Sequence, residues 1–212
     1  MINSMKLNGP IVKSEIKTKY LVFFLHGWGS DGNDLIQLAQ YWKKDLKEMT
    51  FLAPNAPSEC SANPSGRQWF DINTEITSQS IKELHSSYEM LNNYINSHLE
   101  INNLNKIDYF LVGFSQGTML SIYYALRKKC IGIVGYSGAF VKHTIPKNTK
   151  KNDYLLVHGK NDIVVPEEKM HEAEKLLVSM SNKVKTLSYS NLEHSINEEG
   201  LQKGMEFIKN KI

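Results

Sequence analysis

Tyr20-Leu-Val-Phe-Phe-Leu25 is an unbroken apolar run that stops at His26 and Gly27. A short run of this kind, rich in β-branched and aromatic residues, reads as a strand buried on both faces, as in a parallel sheet. Met49–Ala53, Tyr109–Gly113, Ile131–Tyr136 and Tyr154–Val157 repeat the pattern. Val184–Tyr189 alternates instead, which suits a strand near a sheet edge, and the alternation of Ile11–Ile16 predicts another edge strand. Between these runs the apolar positions fall at helical spacing. Leu84, Tyr88, Leu91, Ile95 and Leu99 predict an amphipathic helix over Gln79–Glu100. Met119, Leu120, Ile122, Tyr123 and Leu126 predict a second, ending in Arg127-Lys-Lys129, where cations suit the negative end of the helix dipole. Pro166, at a first helical position, opens a third over Glu167–Met180, and Asn197–Lys211 forms a fourth.

Strands separated by helices of this length imply right-handed crossovers. The expected class is α/β, a mostly parallel doubly wound sheet with helices on both faces. Pro54–Thr74, which holds Pro54, Pro57, Pro64 and Gly66, shows no clear element and reads as a surface excursion near the site. No repeat or linker divides the chain, so a single domain over residues 1–212 is expected, with 1–16 poorly defined.

Composition narrows the function. At 212 residues, with 41% hydrophobic and 22% charged residues, the chain can bury a core without disulfides or a metal. Lys and Arg number 25 against 22 Asp and Glu, and the net +3 is scattered, whereas a nucleic-acid binder concentrates its basic residues. No nucleic-acid partner is expected. Cys60 and Cys130 make no disulfide framework and fit a reducing, cytoplasmic location. Met1–Tyr20 is polar and Lys-interrupted, and Tyr20–Leu25 is too short to cross a bilayer, so no integral membrane insertion is expected.

The chemistry concentrates in Tyr109-Phe-Leu-Val-Gly-Phe-Ser-Gln-Gly117, an apolar strand, then G-x-S-x-G, then a helical pattern. That context is a nucleophile elbow, in which the serine takes a strained backbone conformation and its neighbours must lack side chains. Ser115 would stand at the C-terminal edge of the sheet, where open α/β sheets bind ligands. A serine hydroxyl needs a base to take its proton, and the base an acid to orient it. Asp162 follows the strand Tyr154–Val157 and a glycine turn. His194 lies in the loop after the last strand and alone among the histidines is C-terminal to it. Serine, acid, histidine is the chain order this fold uses. His26, His85, His98, His143 and His171 read as structural or surface residues, and His158 as support for the Asp162 turn. The oxyanion donors expected are the backbone N–H of Gln116, next to the nucleophile, and that of Trp28 in the Gly-rich loop His26-Gly-Trp-Gly29.

Several strings now resemble one family: Phe24-Leu-His-Gly-Trp-Gly29, Ala53-Pro-Asn-Ala-Pro57, Trp69-Phe-Asp71, Gly113-Phe-Ser-Gln-Gly117, His158-Gly-Lys-Asn-Asp-Ile-Val-Val-Pro166 and His194. From about Lys17 onward the chain resembles the phospholipase/carboxylesterase family of small α/β-hydrolases, which includes bacterial carboxylesterases and acyl-protein thioesterases. The resemblance implies a triad of Ser115, Asp162 and His194, an oxyanion hole at Trp28 and Gln116, and an acyl site near Trp69-Phe-Asp71. Thr118 stands where a second small residue often follows the elbow, and Pro64-Ser-Gly-Arg67 is more similar to the bacterial branch.

The expected activity is hydrolysis of a carboxylic ester or thioester through an acyl-enzyme, with no metal or cofactor. The core elements use nearly the whole chain and leave no room for a cap domain, so the site should be open. Trp28, Trp69 and Phe70 would flank an apolar acyl chain, making a small acyl ester or lipid-like molecule the expected partner. A Met- and aromatic-rich exposed surface would leave homodimer formation open. A non-catalytic hydrolase-like binder is the rival reading, and relatives of that kind usually lack a triad residue.

Overall fold

The computed structural model describes residues 6–72, 76–142 and 144–212. His143, the Asn73–Thr74 end of the excursion and the first five residues of the N-terminal segment lie outside them.

Nine strands and six α-helices follow one another as β1 (Ile11–Val12), β2 (Tyr20–Leu25), α1 (Gly32–Leu35), α2 (Ala39–Trp42), β3 (Met49–Leu52), β4 (Ser58–Glu59), β5 (Arg67–Gln68), α3 (Ser78–Ile101), β6 (Tyr109–Phe114), α4 (Gln116–Ala125), β7 (Gly132–Tyr136), β8 (Asp153–Gly159), α5 (Glu168–Ser179), β9 (Lys183–Tyr189) and α6 (Glu198–Lys209) among the described residues. Seven of the strands form one sheet in the order β1-β3-β2-β6-β7-β8-β9. All neighbours pair in parallel except β1 with β3. The two alternating runs are the two edges, as their patterns imply, although β1 is only two residues long.

Alternation along β2 explains why its run is apolar throughout. Leu21, Phe23 and Leu25 point into a core shared with α3, α4 and α5 on one face, while Val22 and Phe24 point into a second core shared with α1, α2 and α6 on the other. α4 is buried on every side, because it fills the layer directly over β6 and β7. α3 starts in a capping box in which Thr77 Oγ1 accepts the Ser80 N–H and Ser80 Oγ accepts the Thr77 N–H.

Three features depart from the sequence pattern. The α1–α2 segment is helical but broken by a 3₁₀ turn at Ile36–Leu38, so no piece is long enough to show a period. It still buries Leu35, Ile36, Ala39 and Trp42. Within the Pro-rich excursion β4 and β5 pair as a small hairpin, pinned by Arg67 Nε and Nη2 donating to the carbonyls of Ala56 and Pro57. Pro166 stands ahead of α5 rather than at its first position. The turn after it is tight, with Lys169 N–H bonded to the Pro166 carbonyl.

Among the described residues the surface is not methionine-rich. Met49, Met119, Met170 and Met205 are buried, and Met90 and Met180 are half-buried. Among the described residues no helix is long and apolar enough to cross a membrane.

The strand order reverses direction at β2. From there the chain goes to β3 on one side, then to β6 on the other. The loops leaving β2 and β6 therefore part and open a crevice at the C-terminal ends of the two strands.

Candidate active site

β6 ends in that crevice, and the chain turns into α4 through Ser115 at φ 52°, ψ −114°. Such a backbone costs about 1–3 kcal/mol and persists only where the surroundings over-determine it. Here they do. A Cβ on Gly113 would lie 2.5 Å from the Gly117 carbonyl carbon, and one on Gly117 only 1.8 Å from the Leu25 oxygen. The elbow closes because both positions lack a side chain. Ser115 N–H is further tied to the Tyr136 carbonyl at 2.9 Å. Thr118, the larger residue after the elbow, is accommodated by two glycines. Its hydroxyl donates to the Tyr136 carbonyl at 2.9 Å, and its side chain occupies the space beside Gly135 and Gly138.

Asp162 is held in the turn after β8 with its carboxylate out of solvent. Its Oδ1 accepts the N–H groups of Val164 and Val165 at 3.0 and 2.8 Å. The loop after β9 is laid against the same turn: Asn161 N–H donates to the Leu192 carbonyl, and Gly159 leaves no room there for a Cβ. This brings His194 over the carboxylate. Asp162 Oδ2 lies 2.8 Å from His194 Nδ1, and His194 Nε2 lies 3.0 Å from Ser115 Oγ. A carboxylate can only accept, so Nδ1 carries the hydrogen and Nε2 is free to accept the serine proton. The ring is also held by Phe114, with centroids 5.0 Å apart. Residues 115, 162 and 194 are thus brought into one hydrogen-bonded line.

Trp28 and Gln116 follow the paired strands β2 and β6, where Leu25 is opposite Gly113. Gly27 brings the first loop close to Ser115; a Cβ on it would lie 3.4 Å from Ser115 Cβ. Among the described residues neither the Trp28 nor the Gln116 backbone N–H has a hydrogen-bond partner. Two open donors beside a serine held by a base are what an acyl-transfer oxyanion requires.

The side chains of these two residues do something the sequence does not reveal. Gln116 Oε1 accepts the Trp69 N–H and its Nε2 donates to the Phe70 carbonyl, both at 2.7 Å. The indole N–H of Trp28 donates to Gln68 Oε1 at 2.9 Å. Residues 68–70 therefore buttress both loops, and no motif announces Gln68. Trp69 and Phe70 lie in the core, each 1% exposed, and the exposed aromatic of the three is Trp28. The open aromatic wall expected from the sequence is a buried one, pulled inward by the Gln116 amide.

The Trp28 loop is anchored through backbone as well, by Gly29 N–H to the Arg67 carbonyl and Arg67 N–H to the Ser30 carbonyl. Trp28→Ala should therefore lower kcat by only about tenfold, well short of the 100–1000-fold typical of a lost oxyanion donor. Steady-state rates check this, and a loss beyond about 100-fold would mean that the indole itself is required.

His26 is a buried hinge for the same loop. Its Nε2 accepts the Ala56 N–H at 3.0 Å, its Nδ1 donates to the Gly27 carbonyl, and the Trp69 indole donates to its own carbonyl. Burial holds the ring below the ordinary imidazole value of 6.5. As pH falls the unfolded chain takes up this proton first. The stability contributed by the neutral ring is full above 6.5 and declines below it, down to the lowered folded value. Urea midpoints should fall between about pH 7.5 and 5.5, and His26→Gln should show a shallower fall.

With this geometry in view, the relatives are informative. The model of the phospholipase/carboxylesterase family matches residues 8–212. The chain belongs to that family. Acyl-protein thioesterase 1 of Schizosaccharomyces pombe is 26% identical over 98% of this chain and 97% of its own. A probable carboxylesterase of Oryza sativa subsp. japonica is 27% identical over 90% of this chain and 88% of its own. Among solved structures, esterase PE8 superposes with a TM-score of 0.92 at 31% identity, covering 98% of this chain and all of that one. The Bacillus cereus carboxylesterase, at 15% identity and a TM-score of 0.83, shares the fold. The α/β-hydrolase fold and the hydrolase class expected from the resemblance both hold for this family member.

Proposed function

We propose that the enzyme hydrolyses carboxylic esters of short to medium acyl chains through an acyl-enzyme on Ser115. The observation that carries this reading is the line Ser115 Oγ–His194 Nε2, His194 Nδ1–Asp162 Oδ2, with distances of 3.0 and 2.8 Å. In the first step Ser115 Oγ bonds to the substrate carbonyl carbon as His194 Nε2 takes the hydroxyl proton. The negative charge passes to the carbonyl oxygen, which the Trp28 and Gln116 N–H groups receive. Collapse breaks the bond to the leaving group, which departs with the proton from His194. Water then repeats the sequence on the acyl-enzyme, releasing the acid and restoring the serine. Asp162 keeps the imidazole in the required tautomer and stabilises its cation.

Thioester hydrolysis is the second reading, favoured by relatives bearing the name acyl-protein thioesterase 1. A bulky leaving group is compatible with the rim of the site, where Trp28 is partly exposed and Ile163 and Val164 are exposed beside Asp162. Reduced, buried Cys60 and Cys130 support a cytoplasmic setting.

The test is a panel of p-nitrophenyl esters from acetyl to palmitoyl, run beside an acyl thioester and a lysophospholipid. The expected result is a kcat/KM maximum at short to medium chains. A maximum at palmitoyl, or a thioester preferred over its matched ester, would shift the reading to the second one.

A further inference from the structure

Four non-glycine residues among the described ones have a positive φ: Asn103, Ser115, Ser137 and Ser181. Three are accounted for by their surroundings. Asn103 follows α3 and Ser181 follows α5, each in a helix-ending turn. Their N–H groups bond the carbonyls of Glu100 and Val178, and the N–H groups of Leu104 and Asn182 bond those of Leu99 and Leu177. Ser115 is the elbow. Ser137, at φ 47°, ends no helix. It lies just past β7 and is 1% exposed. Glycine takes such a backbone freely and serine does not, so a serine here points to work done by its side chain. What that side chain adds over alanine is a hydroxyl. The hydroxyl donates to the Ser195 carbonyl at 3.4 Å, and this carbonyl accepts no other hydrogen bond among the described residues.

We infer that Ser137 is a positioning residue for the base of the triad: its hydroxyl holds the loop that carries His194, gripping it one residue past the imidazole. The inference rests on the reading of Ser115, Asp162 and His194 as the catalytic relay. Before His194 the loop is tied at the Leu192 carbonyl, by Asn161 N–H at 3.0 Å. Between His194 and the start of α6, the Ser137 hydroxyl is its only hydrogen bond from another segment among the described residues. Phe114 packs on the ring, a contact without the direction of a hydrogen bond. Ser137 itself is held from two sides. Its N–H bonds the Val157 carbonyl of β8 at 2.9 Å. The next residue, Gly138, is set so close to the elbow that a Cβ would lie 2.3 Å from Thr118 Cβ and 3.1 Å from the Ser115 oxygen. These ties over-determine the strained φ. Residues 137 and 138 therefore link the segments that carry Ser115, Asp162 and His194. Ser137 acts through the Ser195 backbone and not on the reacting atoms.

Two variants separate the hydroxyl from the backbone. Ser137→Ala removes the hydroxyl and keeps the strain, and Ser137→Gly removes both. Each should lower kcat on a p-nitrophenyl ester by about tenfold per folded chain, with KM nearly unchanged. A misplacement of about 1 Å costs about 100-fold, and here Asp162 still holds the ring. Fluorophosphonate labelling of Ser115 should slow by the same factor. The glycine variant should be at least as stable to urea as the alanine variant, because its backbone is relaxed, while its rate stays as low. In proton NMR the His194 Nδ1–H, shared with Asp162, should be sharp in wild type and broadened in both variants. If Ser137→Gly matches wild type in rate and in that signal, the backbone alone was at work and the inference fails, whatever the alanine variant does. Should the variants not fold, a crystal structure of the wild-type phosphonyl adduct decides. The Ser137 hydroxyl should face the Ser195 carbonyl there, and a rotamer turned away from it overturns the inference. A wild type without hydrolase activity removes the site reading itself. That result differs from an active enzyme indifferent to residue 137, which removes this inference alone.

Discussion

Ser115→Ala should lower kcat on a p-nitrophenyl ester by about 10⁵- to 10⁶-fold while the protein stays folded. The loss is large because the three side chains act as a unit. Without Oγ there is no atom for His194 Nε2 to activate and no bond through which an acyl group can be held. The fold should survive because alanine keeps the Cβ, leaving the elbow at φ 52° with its ties to Tyr136 and its two glycine contacts unchanged. Circular dichroism and the urea midpoint check the second half of the statement, and steady-state rates the first. Residual turnover above about 1% of wild type would contradict the account, since binding and the oxyanion donors alone supply far less.

Asp162→Asn should cost about 10⁴-fold in kcat, for a reason that is purely one of hydrogen placement. The asparagine carbonyl can keep the Val164 and Val165 N–H groups, and its amide then occupies the place of Oδ2. That amide donates. His194 Nδ1 must accept from it, which moves the imidazole hydrogen to Nε2, the nitrogen that has to receive the Ser115 proton. The rate, normalised to sites titrated with a fluorophosphonate, is the measurement. A loss of less than about 100-fold would mean that His194 is oriented by something other than the carboxylate.

Much of this is legible in the amino-acid order, and the parts that are share a cause. A parallel strand buried on both faces leaves an uninterrupted apolar run, so β2, β3, β6, β7 and β8 announce themselves. The elbow is legible because its geometry forbids side chains at 113 and 117, which leaves glycine in the sequence as a trace. Asp162 and His194 are legible because the active edge lies at the C-terminal ends of the strands, and each follows one. What stays hidden is set by contacts between distant segments. A four-residue helix such as α1 or α2 has no period to detect. Trp69 and Phe70, in a stretch rich in proline and polar residues, read as exposed, yet an amide 46 or 47 positions later draws their backbone into the core. The hydrogen bond between the His158 ring and the Val165 carbonyl spans only seven positions, but nothing in the spacing announces it.

The central claim is that one hydroxyl, at Ser115, is made reactive by His194. Incubating the protein with a fluorophosphonate probe and mapping the adduct by peptide mass spectrometry tests it most directly. The account predicts one adduct per chain, on Ser115, absent from Ser115→Ala and strongly slowed in His194→Ala. An ester-hydrolysing wild type that carries no adduct, or carries it on another residue, would contradict it.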